Sequence, residues 1–457
     1  MNAGNLLPPE RRIVRDIFLA GVEAADPYQA VLACLQFDGG QLSISRERWG
    51  HASRRSDDWR RVHLLALGKA AVAMARAALD VIPERLLAEP ALAVTDYACI
   101  QPVANCQVMG AGHPLPDAAG LGAARQMAGR AEAAQAGELV LLLLSGGGSS
   151  MAPLPVDGVT LADKFSATQL LLACGASINE INCVRKHLSQ FKGGGLARLA
   201  APAALHTLIL SDVIGDDVSA ISSGPTAPDP TTFADAIEIA RRYGIERRLP
   251  PAVLNYLTLG MAGGAPETPK PGAAVFAACE HTLVGGNAVS VAAAEQAALN
   301  LGWPARIYSR ALRGEARRAA RELAAQALSL ASAEPGARLA LIAGGETTVA
   351  LGERFGVGGR NQELALAFAL AAEELEFNRG WTFLSGGTDG RDGPTDAAGA
   401  IVDPSTLAGI RGAGIDPQRA LDAHDAYPAL RAADALLLTG ATGTNVADLQ
   451  ILLLHPE

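Results

Sequence analysis

Residues 385 to 400 carry the densest group of side chains that could do chemistry. They read SGGTDGRDGPTDAAGA and directly follow the apolar stretch 381–384. The aspartates offer the hard oxygen ligands that Mg²⁺ prefers, and the glycines let the backbone approach an anionic ligand closely. A solvated turn rich in Gly and Asp is the alternative for this segment alone. The first interpretation predicts a site for an anion and its metal ion.

The same pattern, a short apolar run followed by glycines and polar residues, recurs along the chain. Such short, continuously apolar runs predict parallel strands buried on both faces, each followed by a turn and a helix. The runs, with the residues that follow them, are 62–67 with Gly68 and Lys69, 139–144 with SGGGSSM at 145–151, 205–210 with SDVIGDD at 211–217, 275–278 with GGN at 285–287, 339–343 with GGETTV at 344–349, and 436–438 with TGATGTNVADL at 439–449.

Cationic side chains stand beside several of these turns. Lys69 lies between a predicted buried strand and a helix, where a lysine is costly to desolvate unless an anion is near. Arg185 and Lys192 belong to NCVRKHLSQFKGGGL at 182–196, which could bind a carboxylate or a phosphate. Arg360 opens a predicted helix, where the helix dipole disfavours a cation that has no anion to bind. A helix-terminal lysine and a solvated basic face are the structural alternatives for Lys69 and for the 182–196 segment.

Two further polar positions have open interpretations. Asp212 follows a predicted strand, together with Asp216 and Asp217, and could orient a hydroxyl group or hold a metal ion. Helix capping explains such aspartates equally well. His113, in the proline-bounded turn GHPLPD, is interpreted as structural.

Composition limits the class of protein. A chain of 457 residues is long enough for two or three domains, and with 49% hydrophobic and 19% charged residues it can form a large core. The net charge of -9 and the 4% aromatic content argue against a general nucleic-acid or anionic-membrane surface. Six cysteines without a CxxC pair indicate free thiols in a reducing compartment. No signal peptide or membrane-spanning run is expected, which predicts a cytoplasmic protein.

The order of patterns suggests where domains divide. An amphipathic helix is predicted to begin near residue 9, and an alanine-rich helix covers 311–332. Stretches rich in glycine or proline at 260–273 and 331–338 could separate domains, and the main boundary is placed near 335.

Standard nucleotide-binding motifs are absent from the sequence. Gly68-Lys69 is followed by Ala70, and no glycine stands at the upstream position that a Walker A loop requires. Near residue 356, Asn361 occupies the place where a GxGxxG pattern needs glycine. The familiar NTPase and dinucleotide folds therefore have no motif to support them.

Long strings of residues nevertheless resemble the glycerate 2-kinase family, whose C-terminal domain is called MOFRL. The resemblance covers nearly the whole chain. The strings, in order, are GHPLPD, LLLLSGGGSSM, INCVRKHLSQFKGGGLA, LILSDVIGDDVSAISSGPT, VGGNAVSVAAA, LIAGGETTV, GGRNQELALAF, FLSGGTDGRDGPTDAAGA and LLLTGATGTNVADL.

The resemblance implies an α/β fold. It predicts a Rossmann-like three-layer N-terminal domain at 1–334 and a smaller α/β MOFRL-type domain at 335–457, with the active site in the cleft between them. It also implies ATP and Mg²⁺ as cofactors and phosphorylation of D-glycerate at its 2-hydroxyl to give 2-phosphoglycerate. Lys69 and Arg360 match positions that the family marks as important for catalysis, and both are expected to act on the reaction rather than in folding.

Roles for the remaining candidates follow from what phosphoryl transfer needs, which is positioning and neutralisation of charge. Asp389, with Asp212 as the second candidate, would hold Mg²⁺ or accept the hydroxyl proton. Glycine-rich loops would present backbone N–H groups to phosphate oxygens. The predicted substrate-binding residues are Arg185, Lys192, Ser145, Gly146 and Gly147, and the predicted nucleotide-binding residues are Gly344, Gly345, Glu346 and Asn287.

Two other classes of function stay open at this point. Members of the family have also carried the label hydroxypyruvate reductase, an NAD(P)H-dependent activity, but the chain has no dinucleotide motif. A non-catalytic sensor that binds a sugar acid is the third class, and no fused regulatory domain is visible. The expected partners are small molecules only, and whether the protein is a homodimer is left open.

Overall fold

The computed structural model describes residues 8–46, 54–352 and 354–456. Within these ranges the chain forms two compact units. The central unit is Pro27–Val284, and the terminal unit combines the residues up to Asp26 with those from Gly285 onward. No helix in the described ranges has both the length and the apolar character needed to cross a membrane.

The strands, in chain order, are β1 (Leu35–Asp38), β2 (Gln41–Ser45), β3 (Arg54–Ser56), β4 (Val62–Leu67), β5 (Ala91–Asp96), β6 (Cys106–Ala111), β7 (Leu139–Leu144), β8 (Ala204–Leu210), β9 (Cys279–Gly285), β10 (Ala305–Leu312), β11 (Leu339–Gly345), β12 (Trp381–Gly387), β13 (Gly399–Val402), β14 (Leu436–Leu437) and β15 (Asp448–Leu454).

The α-helices are α1 (Pro9–Glu23), α2 (Pro27–Leu32), α3 (Ala71–Val81), α4 (Ala118–Ala133), α5 (Gly148–Met151), α6 (Leu161–Ala173), α7 (Ile178–His187), α8 (Gly195–Ala200), α9 (Phe233–Arg242), α10 (Pro251–Met261), α11 (Asn287–Asn300), α12 (Ala316–Ala333), α13 (Arg360–Glu374), α14 (Thr406–Gly412), α15 (Pro417–Asp422) and α16 (Ala426–Ala432).

The central unit is built on a sheet with the order β6-β5-β4-β7-β8-β9. The pairs from β6 through β8 are parallel. Strands β4 and β7 are buried along their whole length, as their continuous apolar runs predict. Helices α4 and α8 pack against the sheet in one core, while α6, α7, α9 and α10 form a separate helical core. The carboxyl ends of the parallel strands therefore lie along one edge of the sheet.

The terminal unit is a three-layer arrangement around a mixed sheet with the order β10-β11-β15-β12-β13-β14. Alternate residues of its strands face opposite cores: Ile342 packs with α1 and α11, whereas Leu341 packs with α12 and α13. The period of two along a strand produces this separation, since both faces must bury apolar side chains. The α/β architecture predicted from the sequence is confirmed.

Several sequence predictions differ from the structure in detail. Residues 274–276 form a 3-10 turn, and the strand predicted at 275–278 begins at Cys279 instead. Strand β15 was not predicted, and it runs antiparallel between β11 and β12, so the terminal sheet is not the parallel sheet expected. The predicted domain boundary at 334 also falls inside the terminal unit, because β10, which precedes it in the chain, pairs with β11, which follows it.

Candidate active site

The turns after β4, β7 and β8 meet at the carboxyl edge of the central sheet. The backbone N–H of Lys69 donates to the carbonyl of Gly146 over 2.9 Å, and the N–H of Ala70 donates to Ser145 Oγ over 3.1 Å. Gly68 has a φ of 120° and lies against Ser145, where a Cβ would stand 2.4 Å from Ser145 Oγ. Glycine is needed there for both conformation and space. Lys69 is thereby held next to the predicted glycine loop.

Asp212 lies against the same loop. A Cβ added to Gly146 would stand only 2.0 Å from Asp212 Oδ2, so the missing side chain leaves the room that the carboxylate occupies. Burial raises the pKa of Asp212, and the nearby charge of Lys69 acts in the opposite direction. The structure therefore brings Lys69, Ser145, Gly146 and Asp212 together, and a half-buried carboxylate whose pKa is raised can accept a proton.

His113 also belongs to this edge, although the sequence gave it only a structural interpretation. A Cβ on Gly147, which has a φ of 86°, would lie 3.1 Å from the His113 ring. His113 Nδ1 is 3.9 Å from Asp96 Oδ2, at the end of β5. Burial, together with the charge of Lys69, lowers the pKa of His113. Its place directly after a strand, like that of Lys69, was the sequence feature that could have identified it.

Arg185 and Lys192 converge on Ser149, at the far end of the glycine loop. Arg185 Nη2 donates to Ser149 Oγ over 2.6 Å, and Lys192 Nζ donates to the Ser149 carbonyl over 2.7 Å. Burial lowers the pKa of both cations. The two predicted substrate-binding cations therefore do lie beside the Ser145–Gly147 loop.

In the terminal unit, Arg360 is bound by carboxylates. Its Nε and Nη2 donate to the two oxygens of Asp448 over 2.6 and 2.9 Å, and its Nη1 lies 2.8 Å from Glu346 Oε1. Asp448 opens β15 and stands level with Gly345 of β11 on one side and Gly387 of β12 on the other. Burial opposes the charge of Arg360, but the pairing with Asp448 outweighs it and raises the pKa of the guanidinium.

Asp392 caps the helix that Arg360 opens. Its two carboxylate oxygens accept the backbone N–H groups of Asn361 and Gln362 over 3.1 and 2.8 Å. Burial raises the pKa of Asp392 to about 6, and the charge of Asp448 adds to that effect. The start of α13 is thus surrounded by carboxylates on both sides of Arg360.

A cavity of about 600 Å³ opens in front of this helix start. Asp389 lies on its wall, half-buried, with Oδ1 accepting the backbone N–H of Arg391 over 3.0 Å. Within the described part of the chain, no three His, Cys, Asp or Glu side chains are arranged to hold a metal ion. Asp389 therefore fits a cation whose remaining ligands are water or substrate oxygens. Mg²⁺ is commonly bound in this way, by one or two carboxylates together with substrate phosphates.

Gly344, Gly345 and Asn287 were also predicted to bind the nucleotide, and the packing of the fold already explains why these residue types occur there. Gly344 and Gly345 end β11 and do not form a loop; a Cβ would stand 2.1 Å from Asn287 Oδ1 at the first and 2.1 Å from the Leu312 carbonyl at the second. Asn287 is buried and donates to the carbonyls of Val446 and Asp448. These three residues position Asp448 and Glu346, and their contact with a nucleotide stays a prediction.

The fold places the protein among three-layer α/β proteins that carry polar groups at the carboxyl ends of their strands, where such folds bind ligands. A family model described as "Domain of unknown function (DUF4147)" matches residues 13–258, and the MOFRL family matches 339–448. The chain belongs to the glycerate 2-kinase family, in which these two domains occur together.

Its relatives include proteins named for two different activities. A protein named glycerate 2-kinase from Pyrococcus horikoshii is 38% identical over 434 residues, covering 94% of this chain and 94% of the relative. A protein named putative hydroxypyruvate reductase from Agrobacterium vitis is 42% identical over 450 residues, covering 97% and 94%. The crystal structure of a glycerate kinase from Thermotoga maritima superposes with a TM-score of 0.83 at 38% identity, covering 97% of this chain and 99% of that one.

Proposed function

We propose that the protein is a glycerate 2-kinase that transfers the γ-phosphoryl group of ATP to the 2-hydroxyl of D-glycerate. The observation that carries this proposal is that the backbone of Lys69 is hydrogen-bonded to Gly146 while the carboxylate of Asp212 lies against Gly146. A cation, a glycine loop and a half-buried carboxylate therefore meet at one place. Relatives named glycerate 2-kinase support the same reaction.

The reaction divides among the chain's own residues as follows. Asp212 accepts the proton of the 2-hydroxyl group of glycerate. At the same time the hydroxyl oxygen forms a bond to the γ-phosphorus of ATP, and the bond from that phosphorus to the bridging oxygen of the leaving ADP breaks. Lys69 neutralises negative charge on the transferring phosphoryl group, which is what phosphoryl transfer requires most. Arg185, Lys192 and the loop from Ser145 to Gly147 bind substrate oxygens.

The terminal unit carries its own group of predicted residues. Arg360, held by Asp448, offers its planar guanidinium to an anion, and Glu346 limits how it can turn. Mg²⁺ neutralises phosphate charge when bound, and Asp389 is the side chain that would hold it on the cavity wall. Gly344, Gly345 and Asn287 keep Asp448 and Glu346 in place.

Product identity tests the proposal. The protein is incubated with ATP, Mg²⁺ and D-glycerate, the product is identified by phosphorus NMR, and its conversion by added enolase is followed, since enolase consumes 2-phosphoglycerate. Formation of 3-phosphoglycerate alone would contradict the proposal. Oxidation of NADH or NADPH with hydroxypyruvate, without phosphoryl transfer, would instead favour the reductase named among the relatives.

A further inference from the structure

Lys164 is a buried cation that the proposed reaction does not use. It lies on α6 with 5% of its surface exposed, and its Nζ is buried without a hydrogen-bond partner. No pattern in the sequence singles it out, since it occurs in an ordinary helical stretch of α6. A buried ammonium group without a partner is costly, so it calls for an explanation.

Two other cations lie close to Lys164. Helix α6, which carries Lys164, packs in one core with α7, which carries Arg185. Burial and the charge of Arg185 lower the pKa of Lys164, and burial together with the charges of Arg185 and Lys164 lowers the pKa of Lys192, which is 1% exposed. Among the described residues, no carboxylate lies within 4.0 Å of any of the three. In the described part of the chain, the side chains of Arg185 and Lys192 donate hydrogen bonds only to the oxygens of Ser149.

Several other cations of the chain have carboxylate partners. Lys186, the residue after Arg185, lies 3.5 Å from Asp229, whose side chain has no exposed surface. Lys270 lies 2.8 Å from Glu267, and Arg360 is paired with Asp448. The fold therefore can neutralise buried positive charge from within, and at Lys164, Arg185 and Lys192 it does not.

We propose that Lys164, Arg185 and Lys192 form a binding site for a phosphoryl oxyanion next to Ser149. Three clustered cations match an anion of two or more charges, whereas a single carboxylate would leave most of their charge unpaired. Lys164 is then a binding residue for this anion, its free Nζ supplying the donor that the fold leaves unused.

Which ligand brings the phosphoryl group to this site is a question that rests on the proposed function. In a glycerate kinase the group comes either from the nucleotide or from the phosphorylated product, and both present the same oxygens. The anion site itself does not depend on that reaction, because it follows from the three cations alone.

Binding of pyrophosphate to the full chain tests the site, measured as the shift in Tm and by calorimetry. The variant is Lys164→Met, which keeps the length of the side chain and removes its charge. Its unliganded Tm should rise, because a buried amino group without a hydrogen-bond partner is replaced by an apolar side chain. Its affinity for pyrophosphate should fall about tenfold or more, because a charge-assisted donor is removed.

Lys270→Met is the matched control, since this lysine has a carboxylate partner. Its Tm should fall or stay unchanged, and its pyrophosphate affinity should equal that of the wild type. Parallel titrations with ADP and with 2-phosphoglycerate identify the source, which is the ligand whose affinity falls in Lys164→Met and not in the control.

Two outcomes would overturn the inference. One is a wild-type protein that none of pyrophosphate, ADP and 2-phosphoglycerate stabilises. The other is a Lys164→Met variant that loses stability and binds pyrophosphate as well as the wild type does. Kinase activity is assayed separately on the wild type, so an inactive protein with an intact anion site would reject only the proposed function.

Discussion

Arg360 and Asp448 form a bidentate ion pair in which the carboxylate of Asp448 has no exposed surface. Both oxygens of Asp448 accept from the guanidinium, at 2.6 and 2.9 Å, and the side chain of Arg360 is 34% exposed. The arginine is thus the main neutralising partner of a fully buried charge. Its orientation toward the cavity is fixed from behind by Asp448.

This pair changes what is expected of Arg360→Ala. From the sequence, the arginine was assigned to the reaction and not to folding. Its removal leaves Asp448 buried and unpaired, so the variant should lose about 1–3 kcal/mol of unfolding free energy as well as activity. Urea denaturation of the variant and of Arg360→Lys checks this. Wild-type stability in Arg360→Ala would contradict the stabilising role assigned to this ion pair.

Lys69→Ala should affect turnover without affecting stability. Within the described chain the side chain of Lys69 makes no hydrogen bond or ion pair that its loss would leave unsatisfied. If Lys69 stabilises the transferring phosphoryl group, kcat should fall by roughly two to four orders of magnitude while Tm stays the same. Lys69→Arg should not restore activity, since a guanidinium cannot occupy the place of a compact ammonium. Near-normal turnover in Lys69→Ala would remove the residue from the site.

Asp212 and His113 can be separated as proton acceptors by the pH dependence of kcat/KM. Burial raises the pKa of Asp212 and lowers that of His113. If Asp212 is the base, activity is lost as pH falls through its raised pKa, Asp212→Asn abolishes turnover, and His113→Gln keeps the acidic limb of the profile. An acidic limb that disappears in His113→Gln would assign the proton to the histidine.

The sequence identified candidate site residues where they come directly after an apolar strand. Strands β4 and β7 were predicted with the bounds that the structure gives. Lys69 and Ser145 could be identified because they stand just after the ends of these strands. Asp448 and Lys164 were missed for different reasons. Asp448 begins the antiparallel β15, which the loop-like TGATGTNVADL conceals, and its partner is 88 residues away. Lys164 is distinguished only by burial, which a helical sequence pattern cannot assign to a single lysine.

Asp392 should make stability depend on pH in a direction opposite to that of an ordinary ion-paired carboxylate. Its folded pKa of about 6 lies above the ordinary aspartate pKa of 3.8, so the folded state holds the proton more tightly than the unfolded state. Below pH 3.8 the group is protonated in both states. As pH rises through the window from 3.8 to about 6 its contribution falls, by about 3 kcal/mol in total.

Asp392→Asn is the variant that tests this dependence, because an amide does not titrate. Since other groups titrate in the same range, the quantity to measure is the difference in unfolding free energy between wild type and variant, from urea denaturation at pH 4, 5, 6 and 7. The difference should move in favour of the variant as pH rises to about 6 and then stay constant. The amide can accept only through one oxygen, so the variant should start with a constant deficit from the weakened cap on Asn361 and Gln362. A difference that does not change with pH would show that Asp392 is ionised throughout, with Arg360 neutralising it.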